Sequence, residues 1–196
     1  MRCASFAALI AALWLAACSQ AEPEVVLPLP PVPEERFNEV PVEPAPVEIS
    51  KAAAKTRDAL IHEATRGSLR GLGEIAARNP EFRSNVGGQS HDRFWDLLRR
   101  TGVDPNRKLR ELFEQPAGLR EIDGQRWYVW PDLAARDAAD LIPEKLTFQD
   151  RRRLEDLIRE DGIARIRAGE GYPGMRTAIA EDGTWIYFVL GQDGEE

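Results

Sequence analysis

Ser90-His91-Asp92 sets three residue types of nucleophilic catalysis side by side. Contiguous side chains diverge, whereas a working triad is assembled from separated positions. The triplet therefore reads as a helix start with Ser90 or Asp92 as its cap. His91 keeps a second reading, a lone base paired with a distant carboxylate. His62, between Ile61 and Glu63, reads as a helix-surface histidine, with a general base as the rarer option. Gly87-Gly88 lacks the glycine spacing of a dinucleotide or Walker loop and reads as a turn. No Gly-x-Ser-x-Gly elbow occurs. The chain has two cysteines, Cys3 and Cys18, and two histidines. That leaves neither a disulfide scaffold nor a Cys- or His-based zinc site. The sequence assigns no catalytic residue, metal or cofactor.

The most unusual stretch is Trp127-Tyr128-Val129-Trp130-Pro131. In a strand, Trp127 and Val129 face one way and Tyr128 and Trp130 the other. In a later run, Trp185 and Tyr187 alternate with Ile186 and Phe188. Both strands are apolar on both faces. Either the sheet is covered on both sides and the aromatics are core, or one face stays open as an aromatic platform for a glycan, peptide or protein. On the second reading Trp127, Tyr128, Trp130, Trp185, Tyr187 and His91 are the candidate ligand-binding residues. Gly171-Tyr172-Pro173-Gly174 is then a rim, or otherwise a plain turn. Arg99, Arg100, Arg151, Arg152 and Arg153 stand among Glu and Asp and read as solvated helix faces, so nucleic acid is not an expected partner.

These residues need elements to hold them. Ser50 caps a helix over 51–66 carrying Ala53, Leu60, Ile61 and Ala64 near helical spacing, ended by Gly67. Ser68 caps a second, with Leu69, Leu72, Ile75 and Ala76 inward, which ends before Pro80. Phe82 to Val86 is a short extended segment. A third helix covers 92–101 with Phe94, Trp95, Leu97 and Leu98, and Gly102 stops it. Asp104-Pro105 opens a fourth, with Asp as cap and Pro at the first position. Its stripe is Leu109, Leu112 and Phe113, and Pro116 closes it. Two hairpins follow, Leu119–Ile122 with Gln125–Trp130 and Thr177–Glu181 with Thr184–Leu190. Each turns on Asp-Gly, where both residues need positive φ. Between them lie a short helix over 133–141 and a longer one opened by a capping box from Thr147 to Asp150. In the longer helix Leu154, Leu157 and Ile158 face in, Arg151, Arg152, Arg153 and Glu155 face out, and Gly162 interrupts. The fold class is α+β, with a helical hairpin and further helices packed on a small antiparallel sheet built from two β-hairpins.

The amino terminus is an address. Arg2 precedes an unbroken apolar run from Phe6 to Ala17, too short to span a bilayer as a mature helix. The run ends in Leu15-Ala16-Ala17-Cys18, which resembles the lipobox of bacterial lipoproteins at all four positions. The resemblance implies cleavage after residue 17 and a lipidated Cys18, with the multiple acyl chains that stable anchoring requires. With Ser19 rather than Asp next, it points to an outer-membrane lipoprotein facing the periplasm.

Residues 18–48 then form the lipidated cysteine and a tether. Eight of the fourteen prolines fall in 21–48, with seven Glu and one Arg. Proline forbids helix and sheet through this segment, and the acidic side chains repel one another. Fully extended, it reaches on the order of 80 Å. The tether carries −6 of the formal net charge of −7, so residues 49–196, one globular domain, are close to neutral.

The opening of that domain resembles the NTF2-like cone fold in its order of elements. Residues 51–78 match the helical hairpin, Phe82 to Gly88 the strand and glycine turn, and the helix through Phe94-Trp95 the third helix; the helical stretch at 133–168 departs from the pattern. The domain also resembles small proteobacterial lipoprotein domains. The leading expectation is a lipid-anchored extracytoplasmic module that binds an envelope protein or glycan without catalysis. The rival is an envelope hydrolase or other enzyme with a pocket between sheet and helices, lined by His91, Asp92 and the aromatic strands.

Overall fold

The structure, a computed structural model, describes residues 46–84 and 90–191. The lipobox with Cys18, the tether to residue 45, Gly87-Gly88 and the last five residues lie outside the described residues.

Local sequence sets the helices. The Ser50 hydroxyl accepts from the Ala53 N–H at 3.1 Å and opens α1 (Lys51–Thr65). At the other end Gly67 takes φ +69° and Ser68 N–H reaches back to Glu63 C=O at 3.0 Å. That is a Schellman closure, which a side chain at Gly67 would strain. Ser68 at once caps α2 (Leu69–Ala76) through the Gly71 N–H. The same closure ends α3 (His91–Arg100), and Asp104 with Pro105 starts α4 (Pro105–Phe113) as the sequence predicts. In α3 only Trp95 is buried; Leu97 is exposed.

The four strands form one antiparallel sheet in the order β1 (Gly118–Ile122), β2 (Gln125–Trp130), β3 (Met175–Ala180), β4 (Trp185–Leu190). Of the extended segment expected at 82–86, Arg83 makes one parallel bridge to Tyr187. The fold class is therefore α+β, as expected. Helices α1 to α4 cover one sheet face, where Phe82, Trp95, Leu60 and Leu112 meet Tyr128, Trp130, Ile179, Trp185 and Phe188. The other face carries Val129 and Ala178. It is covered by α5 (Phe148–Arg167) and the chain before it, through Leu133, Leu141, Leu154, Ile158 and Ile166. Fully burying each large apolar side chain contributes about 1.5–3 kcal/mol.

Four local expectations are corrected. The first hairpin turns on Asp123 (φ 52°) and Gly124 (φ 77°) as predicted, but in the second only Gly183 is left-handed (φ 92°). There Gly183 N–H closes on Ala180 C=O at 2.9 Å and Thr184 N–H on the Asp182 carboxylate at 2.8 Å. The helix expected over 133–141 is instead two 3-10 turns, Asp132–Ala135 and Ala138–Asp140, with a third at Pro143–Lys145. Arg136 and Asp137 are extended between the first two and break the helical path. Helix α5 breaks at Arg159 (φ 57°, ψ −176°), not at Gly162. Gly162 is buried in the second half, where a Cβ would lie 2.8 Å from the Ile158 Cβ. Finally, Arg153 faces in. Its guanidinium meets Asp132 at 2.5 Å and Asp150 at 3.1 Å, while Arg136 takes the other Asp150 oxygen at 2.7 Å. This network ties the first 3-10 turn to the start of α5, and charge-assisted pairs of this kind are the stronger class of hydrogen bond.

A bulge in β4 changes which aromatics share a face. Ala178 pairs with Tyr187 and Ile179 with Trp185, leaving Ile186 as an extra residue. Trp185 therefore joins Phe188 on the α1–α4 face, and Ile186 joins Tyr187 on the other. The expected pairing of Trp185 with Tyr187 on one face is overturned. The fully buried Thr177 pins the irregularity: its hydroxyl donates to Tyr187 C=O at 2.7 Å and accepts from the Trp185 indole at 2.8 Å. Thr177→Val should cost about 1–3 kcal/mol by stranding the indole N–H. Thr177→Ser keeps the hydroxyl and should cost about 0.8 kcal/mol for the lost methyl. Urea denaturation of the two variants measures the difference, and a serine variant as unstable as the valine one would remove the hydroxyl from this role.

Candidate functional site

Three of the candidate aromatics are core. Trp130 and Trp185 are each 2 % exposed and Tyr128 is 3 % exposed. Phe113 packs edge-on to Trp130 at 5.1 Å, and the Tyr128 hydroxyl accepts from the Ser50 N–H at 3.1 Å. Tyr172, in the stretch considered as a rim, is also buried, and burial pushes its hydroxyl far above the usual tyrosine range. Trp127 and Tyr187 differ. Both are half-buried, on the α5 face, with ring centroids 6.3 Å apart.

Trp127 also lines a cleft of about 460 Å³ at the hairpin end of that face, within the size range of small-ligand sites. Trp127, Ala180 and Ile186 are its apolar part. Gln125 shares the Trp127 face because β2 alternates with period two. The hairpin Asp182 and Thr184 add to the rim, as do Asn79, Glu81 and Arg83 from the segment after α2. Asn79 is fixed in place, donating to Trp185 C=O at 3.1 Å and accepting from Glu81 N–H at 3.0 Å. The Trp127 indole N–H is buried and has no acceptor among the described residues. Packing alone holds that ring, and an unmet buried donor of this kind costs about 1–3 kcal/mol. Sequence reasoning found Trp127 and missed the rim, since its members come from three separate segments.

His91 lies outside this cleft. The contiguous triplet forms no triad; Ser84, seven residues upstream, brings its Oγ to 2.8 Å from His91 Nδ1. The imidazole stands edge-on to Phe82 at 4.8 Å and 5.9 Å from Trp95. Among the described residues no carboxylate hydrogen bond orients the ring. Asp92 sits in the first turn of α3, where the Ser90 hydroxyl holds its carboxyl below the usual range. His62 is exposed, on a second, shallow groove of about 440 Å³ between α1 and α2 with Glu63, Arg66, Glu74 and Arg78. Among the described residues no group of three or more His, Cys, Asp and Glu could hold a metal ion.

Desolvation by partial burial lowers the His91 pKa below 6.5, against a smaller opposing pull from Asp92. The unfolded chain therefore binds more protons than the folded one between the lowered value and 6.5. Stability rises with pH through that window and is lost as pH falls through it. The urea midpoint should drop between about pH 7.5 and about pH 5, and the drop should be smaller in His91→Gln. An unchanged drop in the variant would assign the acid sensitivity elsewhere.

No family model, curated protein sequence or solved structure matches the chain.

Proposed function

We propose that this chain is a lipid-anchored envelope protein whose residues 49–196 bind a ligand or partner rather than catalyse a reaction. The observation that carries the binding half is the Trp127 cleft, where aromatic and apolar side chains meet a polar rim. The anchoring half rests on the Leu15-Ala16-Ala17-Cys18 motif behind its apolar run, and on the acidic proline-rich stretch that separates it from the domain. The outer membrane, with the domain in the periplasm, is the proposed location. Globomycin, which blocks lipoprotein signal cleavage, should leave an unprocessed precursor, and Cys18→Ala should lose labelling by radioactive palmitate. Normal maturation under the drug would refute the anchor.

One contact favours the enzymatic reading, the 2.8 Å approach of Ser84 to His91. A hydrolase would need that serine activated. A fluorophosphonate probe should leave the wild-type chain unlabelled. Labelling that disappears in Ser84→Ala would install the hydrolase in place of the binding module.

A further inference from the structure

We infer that the Trp127 cleft takes a neutral oligosaccharide, an assignment that rests on the binding-module reading above and names its ligand class. Among the described residues, one guanidinium, Arg83, and two carboxylates, Glu81 and Asp182, line the cleft. That near balance with a slight acidic excess disfavours an anionic ligand and gives a cation little net attraction. What remains suited to it is a ligand rich in groups that both donate and accept. Hydroxyls do both, and the rim supplies acceptors on Glu81 and Asp182 and a side-chain amide with a donor and an acceptor on Gln125. The floor supplies the complementary half. Trp127 and Ile186 offer an apolar surface beside a polar rim, which suits the C–H face of a pyranose, whose weakly positive hydrogens match the negative face of an indole. A tilt of the Trp127 ring would also give its unmet N–H a sugar oxygen as acceptor.

A peptide fits less well. Strand addition needs free main-chain groups at a sheet edge. At the cleft these are taken: Arg83 N–H donates to Ile186 C=O at 3.1 Å, Phe188 N–H to Arg83 C=O at 2.9 Å and Glu181 N–H to Arg126 C=O at 2.8 Å. The side chains above the sheet are what is left to recognise a ligand.

The test is tryptophan fluorescence and calorimetry on the full lipidated chain, held in a detergent without a sugar headgroup. The probes are cellotetraose and tetra-N-acetylchitotetraose. Saturable binding of either is expected, weakened at least about tenfold by Trp127→Ala, equivalent to about 1.4 kcal/mol, and measurably by Gln125→Ala. Gln125 is exposed, so its variant keeps the test meaningful if loss of Trp127 disturbs folding. No binding of either probe at concentrations of about 5 mM, above the weakest millimolar affinities usually considered, overturns the inference, as does binding unchanged in Gln125→Ala. A Trp127-dependent cross-link to an envelope protein without glycan binding would also overturn it, while leaving the binding-module reading standing.

Discussion

The hydroxyl of Thr177 settles how the sheet is shared between its two faces. β2 and β4 carry apolar residues on both sides and can be read in either register, and strict alternation along β4 would put Trp185 and Tyr187 together. The extra residue at Ile186 breaks that alternation. Thr177 makes the break tolerable, because one buried hydroxyl satisfies both the displaced Tyr187 carbonyl and the Trp185 indole. With Trp185 so directed, it comes 4.5 Å from Phe82 and 6.0 Å from Trp95, and the aromatic group that joins α3 to the sheet can close. Tyr187 is released to the opposite face, where it meets Trp127. The core of one face and the half-open aromatic pair of the other thus follow from one irregularity.

Much of this fold is legible in sequence because its signals are local. Ser50, Ser68 and Asp104 cap helices through bonds to residues two or three positions away, and Asp123-Gly124 specifies its turn without outside help. The failures share an opposite cause. Arg153 belongs to a solvated face by its neighbours in sequence, yet Asp132, twenty-one positions earlier, draws it inward. The same network helps hold 132–136 as a 3-10 turn followed by extended chain, where composition favours helix. Gly162 marks an interruption by propensity, but its small size serves close packing with Ile158, and the break falls on Arg159. Asp182-Gly183 carries the same dipeptide as the first hairpin, yet Asp182 does not take a positive φ, and its carboxylate accepts from Thr184 N–H instead.

The candidate site divides along the same line. Trp127 and Gln125 share a strand, so period two places them on one face. Arg83 and Glu81 reach them because the chain after α2 bridges β4; the sequence marks an extended segment from Phe82 but not the strand it meets. The His91 contact was hidden for a related reason: its partner Ser84 precedes it by seven residues across a segment with no periodicity to read. The contiguous Ser90-His91-Asp92, which draws the eye, is divided among a serine that precedes α3 without a side-chain capping bond, an imidazole at an aromatic edge and a first-turn carboxylate.

The open end of the sheet is then a question of coverage, not composition. Trp95, Trp130 and Trp185 are almost wholly buried, while Trp127, on the same strand as Trp130, is not. The α5 layer packs over Val129 and Ala178 in mid-strand and only partly over Trp127 and Ile186. Each square ångström of apolar surface left uncovered forgoes about 25 cal/mol, so further coverage there would favour folding. Extending that cover would also bring it against the carboxylates of Glu81 and Asp182, which would lose hydration. The polar rim thus opposes closure from within the chain, and leaves the exposed part of Trp127 available to a ligand that brings its own hydroxyls.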